Sequence, residues 1–507
     1  MTVARRLAIF LVFACVALAV GIMITRRPAL AEPIATEALA STFDAGIRNM
    51  IIRWDSGDTR SVTVRRRALF EFMYETYEAS AWIPQSLFDA NLVTQAVTGD
   101  MDTIVRERIG LVRWRDNPLV PAFGMAPNAG SGEPLRWTVN CLVCHTAEID
   151  GVAYFGAGTK IFDDVWLGEA LKHLTTEPWR GRLRGTADYG VAQNANRILN
   201  SHHHDKVDSL TRGRSTAFAA SHIEFYMRQH GNRMPAVAEV GRGDVKTPPL
   251  WHTAAKLPVG RWYTDGSFHG EFPLMASSME LEKDRPFDAL MDVVVPRIKR
   301  EFESVVVHLR PPVYPYEIDT VLAERGRVLF ESRRLGCAGC HGVYDGRGNV
   351  DWPGKHRDVG TDRGRLDVVS PGFIDAFQHS PLAVDGTLRR SRGYAATPLT
   401  GVWANFPYLH NGSVPTLYHL LGPAAERPRI FDVMAARTLD RARVGQPLYR
   451  DDADAQSSEE VLLRRHGQDR NWFNTTRPGS SNDGHDFWRF IGTDENRRAL
   501  IEYLKTL

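Results

Sequence analysis

The sequence predicts an N-terminal membrane or signal helix followed by two related domains in tandem. Three observations carry that expectation. A single uncharged apolar run, Leu7 to Thr25, lies near the N-terminus. The pattern CxxCH occurs twice, at residues 141–145 and 337–341. After each copy the same short motifs recur in the same order, Thr-Pro-(Pro)-Leu with a tryptophan and then an aromatic turn ending in Gly-Ser.

Composition sets the frame. A chain of 507 residues is long enough for two to four domains. Hydrophobic residues at 43% and charged residues at 24% exclude a disordered chain. With 62 Lys+Arg against 60 Asp+Glu, the net charge of +2 gives no field to hold a polyanion, so nucleic acid is excluded as the main partner. One apolar run excludes a polytopic membrane protein, and 5 cysteines are too few for a disulfide scaffold.

The run from Leu7 to Thr25 would rise roughly 28 Å as a helix, the thickness of a hydrocarbon core. Arg5 and Arg6 before it favour a cytoplasmic N-terminus. Its length favours an anchor in the inner membrane, while Ala29-Leu30-Ala31 reads as a signal cleavage site. Residues 1–31 are therefore expected as a signal anchor, and the remaining chain as exported to the periplasm, or secreted if the helix is cleaved. Cys15, inside the run, is expected only to pack against lipid.

The other four cysteines form Cys141-Leu-Val-Cys144-His145 and Cys337-Ala-Gly-Cys340-His341. This spacing suits covalent haem c. Two thiols three positions apart reach the vinyl groups on one porphyrin edge, and the adjacent imidazole turns beneath the ring to bind iron. A zinc ribbon needs its two Cys pairs roughly 15–20 residues apart, and these pairs lie in opposite halves of the chain. A thioredoxin-like redox pair needs a βαβ context, which is missing. Two covalent haems are the expectation, with Cys141, Cys144, Cys337 and Cys340 as attachment points and His145 and His341 as iron ligands.

Thr320 to Ser332 places Leu322, Gly326 and Phe330 on one helical face, and Thr493 to Leu507 opens on an N-cap and carries an apolar stripe. A small haem domain would cross these two helices, with Gly326 allowing close approach. Thr247-Pro-Pro-Leu-Trp251 in the first half parallels Thr397-Pro-Leu-Thr-Gly-Val-Trp403 in the second. Leu309 to Pro315 reads as a linker. The expected domains are a first haem domain over 32–310 and a second over 318–507. His202-His203-His204 reads as a solvated loop rather than a metal site.

Over residues 110–507 the chain resembles the di-haem cytochrome c peroxidase superfamily, and within it the rubber-oxygenase-like branch. The residues that carry the likeness are Asn140 to Asp150, Lys246 to His252, Pro407-Tyr-Leu-His-Asn-Gly-Ser413 with its continuation to Leu421, and Ser481 to Asp486. The resemblance implies a mainly α fold, two tandem cytochrome c-like domains after the N-terminal helix. It implies one haem that relays electrons with both axial positions filled, and one that reacts with H2O2 or O2. The methionine ligand of the peroxidases falls on Ala424 here, so the branch points instead to His485 as sixth ligand of the second iron, with His410 close to the haem. The distal histidine of the first haem falls near Ile161, which leaves that iron open or differently guarded. Trp251 between the haems, and Phe268 and Glu271 with His252 and His269 around the first pocket, are the candidate catalytic residues; core packing is the equal alternative for Trp251 and Phe268. A periplasmic electron donor or acceptor, and a calcium ion between the domains, complete the expectation. A plain electron-transfer cytochrome and a dioxygenase cleaving an alkene such as polyisoprene are the alternatives. No GxGxxG, P-loop or HExxH motif supports a nucleotide enzyme or zinc protease.

Overall fold

The computed structural model describes residues 43, 50–54, 60–74, 82–87, 103–114, 122–128, 132–201, 211–215, 243–260, 265–270, 288, 292–293, 295–346, 348–368, 370–379, 383 and 386–507. The first CxxCH is framed by strands. β1 (Met50–Ile51), β2 (Ile83–Pro84), β3 (Met125–Pro127), β4 (Arg136–Val139), β5 (Thr146–Ile149) and β6 (Val152–Phe155) form two three-stranded sheets, in the orders β1-β6-β5 and β2-β4-β3. The motif leaves β4, makes a single 3-10 turn over Cys141–Val143, and enters β5. β5 and β6 are joined by Asp150-Gly151, both at positive φ (50° and 78°). That is the two-residue hairpin whose twist matches the strands it connects.

The second CxxCH is framed by helices. α1 (Thr320–Glu331) is capped by the Asp319 carboxylate, which accepts from Leu322 N–H at 2.9 Å. α2 (Ala338–His341) carries the motif, and α3 (Asp494–Thr506) opens on Thr493, whose hydroxyl accepts from Asn496 N–H at 3.2 Å. α1 and α3 cross face to face. A Cβ on Gly326 would stand 1.9 Å from the Ala499 carbonyl oxygen, so only glycine permits this approach. Beside it Phe330 packs on Tyr503, ring centres 5.3 Å apart.

The two halves share one core. Trp403, fully buried, sits between Tyr154 and Tyr314, with ring centres 5.6 and 5.5 Å away. β7 (Phe268–Gly270) pairs antiparallel with β8 (Gly386–Leu388), Phe268 opposite Leu388, across the expected domain division. The proline-rich stretch 309–315 is packed rather than free: Leu309 and Tyr314 are buried, and Trp403 Nε1–H donates to the Pro312 carbonyl at 2.9 Å.

This architecture corrects the expected fold class. The chain is not a mainly α protein of two tandem cytochrome c-like domains. Short strands alternate with helices along the described residues, and the crossed-helix frame belongs to the second motif, while the first rests on sheets. Among the described residues no helix is long and apolar enough to cross a membrane. The run Leu7 to Thr25, Cys15, the triple histidine and Glu271 lie outside the described residues.

Gly326→Ala gains roughly 1 kcal/mol of helix propensity but forces a methyl into the Ala499 carbonyl, and overpacking of this kind costs about 1–3 kcal/mol. Net destabilisation in denaturant unfolding is expected. A midpoint equal to or above wild type would show that α1 and α3 have room to spare.

Candidate functional site

Each motif closes a tight turn that fixes its histidine relative to its cysteines. His145 N–H donates to the Cys141 carbonyl and His341 N–H to the Cys337 carbonyl, both at 2.9 Å. The first turn is held from outside. The Asn140 side chain accepts from Leu142 N–H (2.9 Å) and donates to the Met73 carbonyl (2.8 Å). Gly124, at positive φ, lies so close beneath it that a Cβ would stand 2.2 Å from Val143 N. Burial and nearby Lys256 push the His145 imidazole down to about 4, with the Pro248 carbonyl opposing them. The ring is therefore neutral, the form that binds a metal.

The second motif is tied in a matching way. His341 Nδ1–H donates to the Thr397 carbonyl at 2.8 Å, which leaves Nε2 with a free lone pair. Tyr344 locks the arrangement: its hydroxyl donates to the His341 carbonyl and accepts from Leu399 N–H, each at 2.8 Å. In both halves the carbonyl facing the histidine precedes a proline, Pro248 before Pro249 and Thr397 before Pro398. The second copy of the Thr-Pro-(Pro)-Leu motif thus supplies the His341 partner, and the first copy lies beside His145.

Opposite His341 stands His485, with ring centres 6.2 Å apart and ring planes at 67°. His485 sits at φ 50°, and its N–H donates to the Val359 carbonyl at 2.8 Å. Arg427 clamps the loop by donating to the Asn482 (2.6 Å) and Gly484 (2.7 Å) carbonyls. Burial, then His341 and Arg427, push the His485 imidazole down to about 3, and its Nδ1 is buried with no hydrogen-bond partner.

These residues fit a haem iron. Metal–imidazole bonds are about 2 Å long, so two imidazoles on opposite faces of one iron hold their ring centres about 6 Å apart. Burial pushes the Cys337 thiol up to about 11, the reverse of what a redox-active or zinc-binding thiolate needs. Among the described residues no group of three or more His, Cys, Asp or Glu is placed to hold a free metal ion such as calcium.

The remaining candidates fall in separate places. Trp251 Nε1–H and His252 Nε2–H both donate to the Thr400 carbonyl, each at 2.9 Å. Trp251 therefore lies one hydrogen bond from the segment that holds His341 and three residues from the Pro248 carbonyl beside His145. Phe268 is buried in β7 and packs edge-on against Phe377, ring centres 6.4 Å apart. His410 does not join His341 and His485; its ring stacks on Tyr394 at 3.8 Å. Burial, then Arg365, push it down to about 3.

Three cations of the first half, Lys160 and Arg214 buried and Lys246 half-buried, reach under the loop that carries His410. Lys160 Nζ donates to the Ala404 carbonyl at 2.6 Å, and Lys246 Nζ to the Asn405 carbonyl. Arg214 donates to the Asn411 and Gly412 carbonyls, both at 2.8 Å. Burial, then neighbouring Arg214, push the Lys246 ammonium down to about 7. No local pattern marks these residues, because their partners are backbone atoms in the other half.

Residues 393–432 match the family described as RoxA-like, cytochrome c-like. Over these residues the chain is similar to the RoxA-like c-type cytochromes. That likeness supports haem c with its iron, and oxidoreductase chemistry as the class of function. The matched stretch holds Tyr394, Thr397, Thr400, Trp403 and His410. Two curated proteins of Sinorhizobium fredii (strain NBRC 101917 / NGR234) are also similar. The uncharacterized protein y4iM is 32% identical over 238 residues, covering 39% of this chain and 51% of its own length. The uncharacterized protein y4iJ is 26% identical over 306 residues, covering 47% of each. The chain spans about half the length of the curated relatives it matches.

Burial, then Lys256, push the His252 imidazole from 6.5 down to about 3. Between those values the unfolded chain binds a proton that the folded chain refuses. Stability is full above pH 6.5 and falls as pH drops towards 3, by at most about 1.4 kcal/mol per pH unit from this group. His252→Gln keeps a donor for Thr400 and should flatten that slope in urea unfolding across a pH series. Parallel slopes in wild type and variant would contradict it.

Proposed function

We propose that the protein is an exported di-haem c-type cytochrome oxidoreductase. The haem at Cys337/Cys340 relays electrons, and the haem at Cys141/Cys144 reacts with H2O2 or O2. The asymmetry of the two histidines carries this reading. His341 faces a second imidazole, His485, at 6.2 Å. Among the described residues no aromatic ring packs against His145. His341 and His485 would hold one iron between them, and a haem at His145 would keep a side for a small molecule.

Haem iron, when bound, supplies the electron exchange and the binding of the oxygen species. The chain's own residues set the conditions. The Thr397 carbonyl orients the His341 imidazole, and an iron held by two imidazoles would sit at a lower potential than a His/Met one, which suits a donor of electrons. Trp251 and the Thr400 carbonyl give a continuous bonded path from one histidine segment to the other. Haem c attachment outside the cytoplasm supports an exported location, with a small redox protein as electron partner.

The test is ferric EPR of the mature protein. One high-spin and one low-spin signal are expected, with two haems per chain by haemochrome assay. His485→Ala should turn the low-spin signal high-spin and leave the haem count at two. Two low-spin centres that refuse cyanide, with no turnover of peroxide or O2, would favour a plain electron carrier. Oxidised fragments from polyisoprene under O2 would assign the open iron to alkene cleavage.

A further inference from the structure

One face of the molecule is basic out of proportion to the chain. The whole sequence nets +2, yet residues 353–357 and 386–397 hold Lys355, Arg357, Arg389, Arg390 and Arg392 with no Asp or Glu among them. All of these cations are exposed. The carboxylates that border them are engaged elsewhere or stand apart. Asp358 faces Arg363 at 3.8 Å and accepts from Gly360 N–H at 3.0 Å. Asp362 accepts from Gly364 N–H at 2.7 Å, and Asp367 pairs with Arg363 (3.4 Å) and Arg390 (3.3 Å). Asp351 pairs with none of them. Among the described residues Lys355, Arg357, Arg389 and Arg392 therefore form no ion pair.

The basic face is concave, and both halves build it. A recess of about 470 Å³ is lined by Lys355, His356 and Arg357 from the second half and by Val259 and His269 from the first. Gly354, at φ 57°, lets one wall seat on the other, because a Cβ there would run into the Val259 side chain. Arg389 is fixed alongside, its N–H donating to the Ser267 carbonyl at 2.7 Å, two residues from His269. Arg392 stands two residues before Tyr394, which pairs across the ribbon with Arg357. A cleft lined by one sign of charge focuses the field and draws in a body of the other sign. The cations lie along two stretches rather than at one point, a spacing that suits an extended acidic face.

The position of the recess says what that body does. Its wall, His356–Arg357, pairs antiparallel with Tyr394–Ala395, and the Lys355 carbonyl accepts from Ala396 N–H at 3.1 Å. The next residue, Thr397, holds His341 through its carbonyl at 2.8 Å. Two residues beyond Arg357, the Val359 carbonyl holds the His485 backbone at 2.8 Å. One ribbon thus carries the surface charge outside and both histidine anchors within. We infer that this recess and its unpaired cations are the docking surface for an electron-carrying protein with an acidic face. The inference rests on the proposed relay haem at Cys337/Cys340. One electron leaves the reduced carrier and enters that iron, with no bond made or broken, and H2O2 or O2 is the final oxidant.

The test uses the haem-loaded protein, a ferrous cytochrome c of acidic net charge as carrier, and a basic one as control. Stopped-flow reduction of the low-spin centre by the acidic carrier should slow about tenfold between roughly 10 and 300 mM NaCl. Lys355→Glu with Arg357→Glu should slow it about tenfold at low salt, converge with wild type at high salt, and speed the basic carrier. Arg389→Gln with Arg392→Gln should act in the same direction and serves if the first pair fails to fold. A neutral photoreduced flavin should reduce all proteins at one rate. Carbodiimide, which joins an ammonium to a carboxylate without any part played by haem, should cross-link Lys355 to the acidic carrier. Equal rates and equal salt slopes in wild type and variants, with no cross-link at Lys355, would overturn the docking surface and leave the di-haem reading standing. Inorganic phosphate bound by wild type and not by the variants, with carrier rates unmoved, would overturn it by assigning the recess to a small anion. A haem count of one, with Cys337 and Cys340 unmodified, would overturn the electron step together with the relay reading.

Discussion

The fold turns on a placement made twice, a CxxCH imidazole beside the carbonyl in front of a proline. Proline cannot donate, and it holds the residue before it extended, so that carbonyl has no helix or ladder to join. It is a fixed acceptor, and a neutral imidazole facing it has one nitrogen spoken for and one available. For His341 the bond is 2.8 Å to Thr397; for His145 the Pro248 carbonyl occupies the corresponding place. The two proline segments then meet at Thr400, which accepts from Trp251 and His252 together. The histidine of one half is thereby referenced to the histidine of the other through a short, rigid length of backbone.

Much of the second half was legible. The four-residue spacing of Leu322, Gly326 and Phe330 and the N-cap at Thr493 mark two helices, and the glycine sits where they cross. Helical periodicity is a local signal, and both helices are long enough to show it. The first half was misread because its evidence is shorter. Thr-Ala-Glu-Ile-Asp-Gly-Val-Ala-Tyr-Phe is a two-residue hairpin with Asp-Gly at its tip, a local strand signal that a mainly α fold does not accommodate.

The site divides in a similar way. His145, His341 and their cysteines follow from spacing alone. The approach of His485 to His341 does not, because the loop holding it is fixed by Arg427 and by Val359, far away in sequence. The same holds for Lys160, Arg214 and Arg365, charged residues of a kind usually found at the surface. Their burial depends on acceptors gathered from several segments, and no window of sequence contains both sides of those bonds.

The crossing of α1 and α3 has a consequence for maturation. Cys337 packs against the core that both helices help to build, yet α3 is separated from it by most of the second half. Contacts between such distant stretches form late, after the local turns. Until α3 docks, that core is incomplete; once it has docked, Cys337 and Cys340 still remain half-buried. The glycine that lets the helices touch thus also sets when the second motif acquires its surroundings.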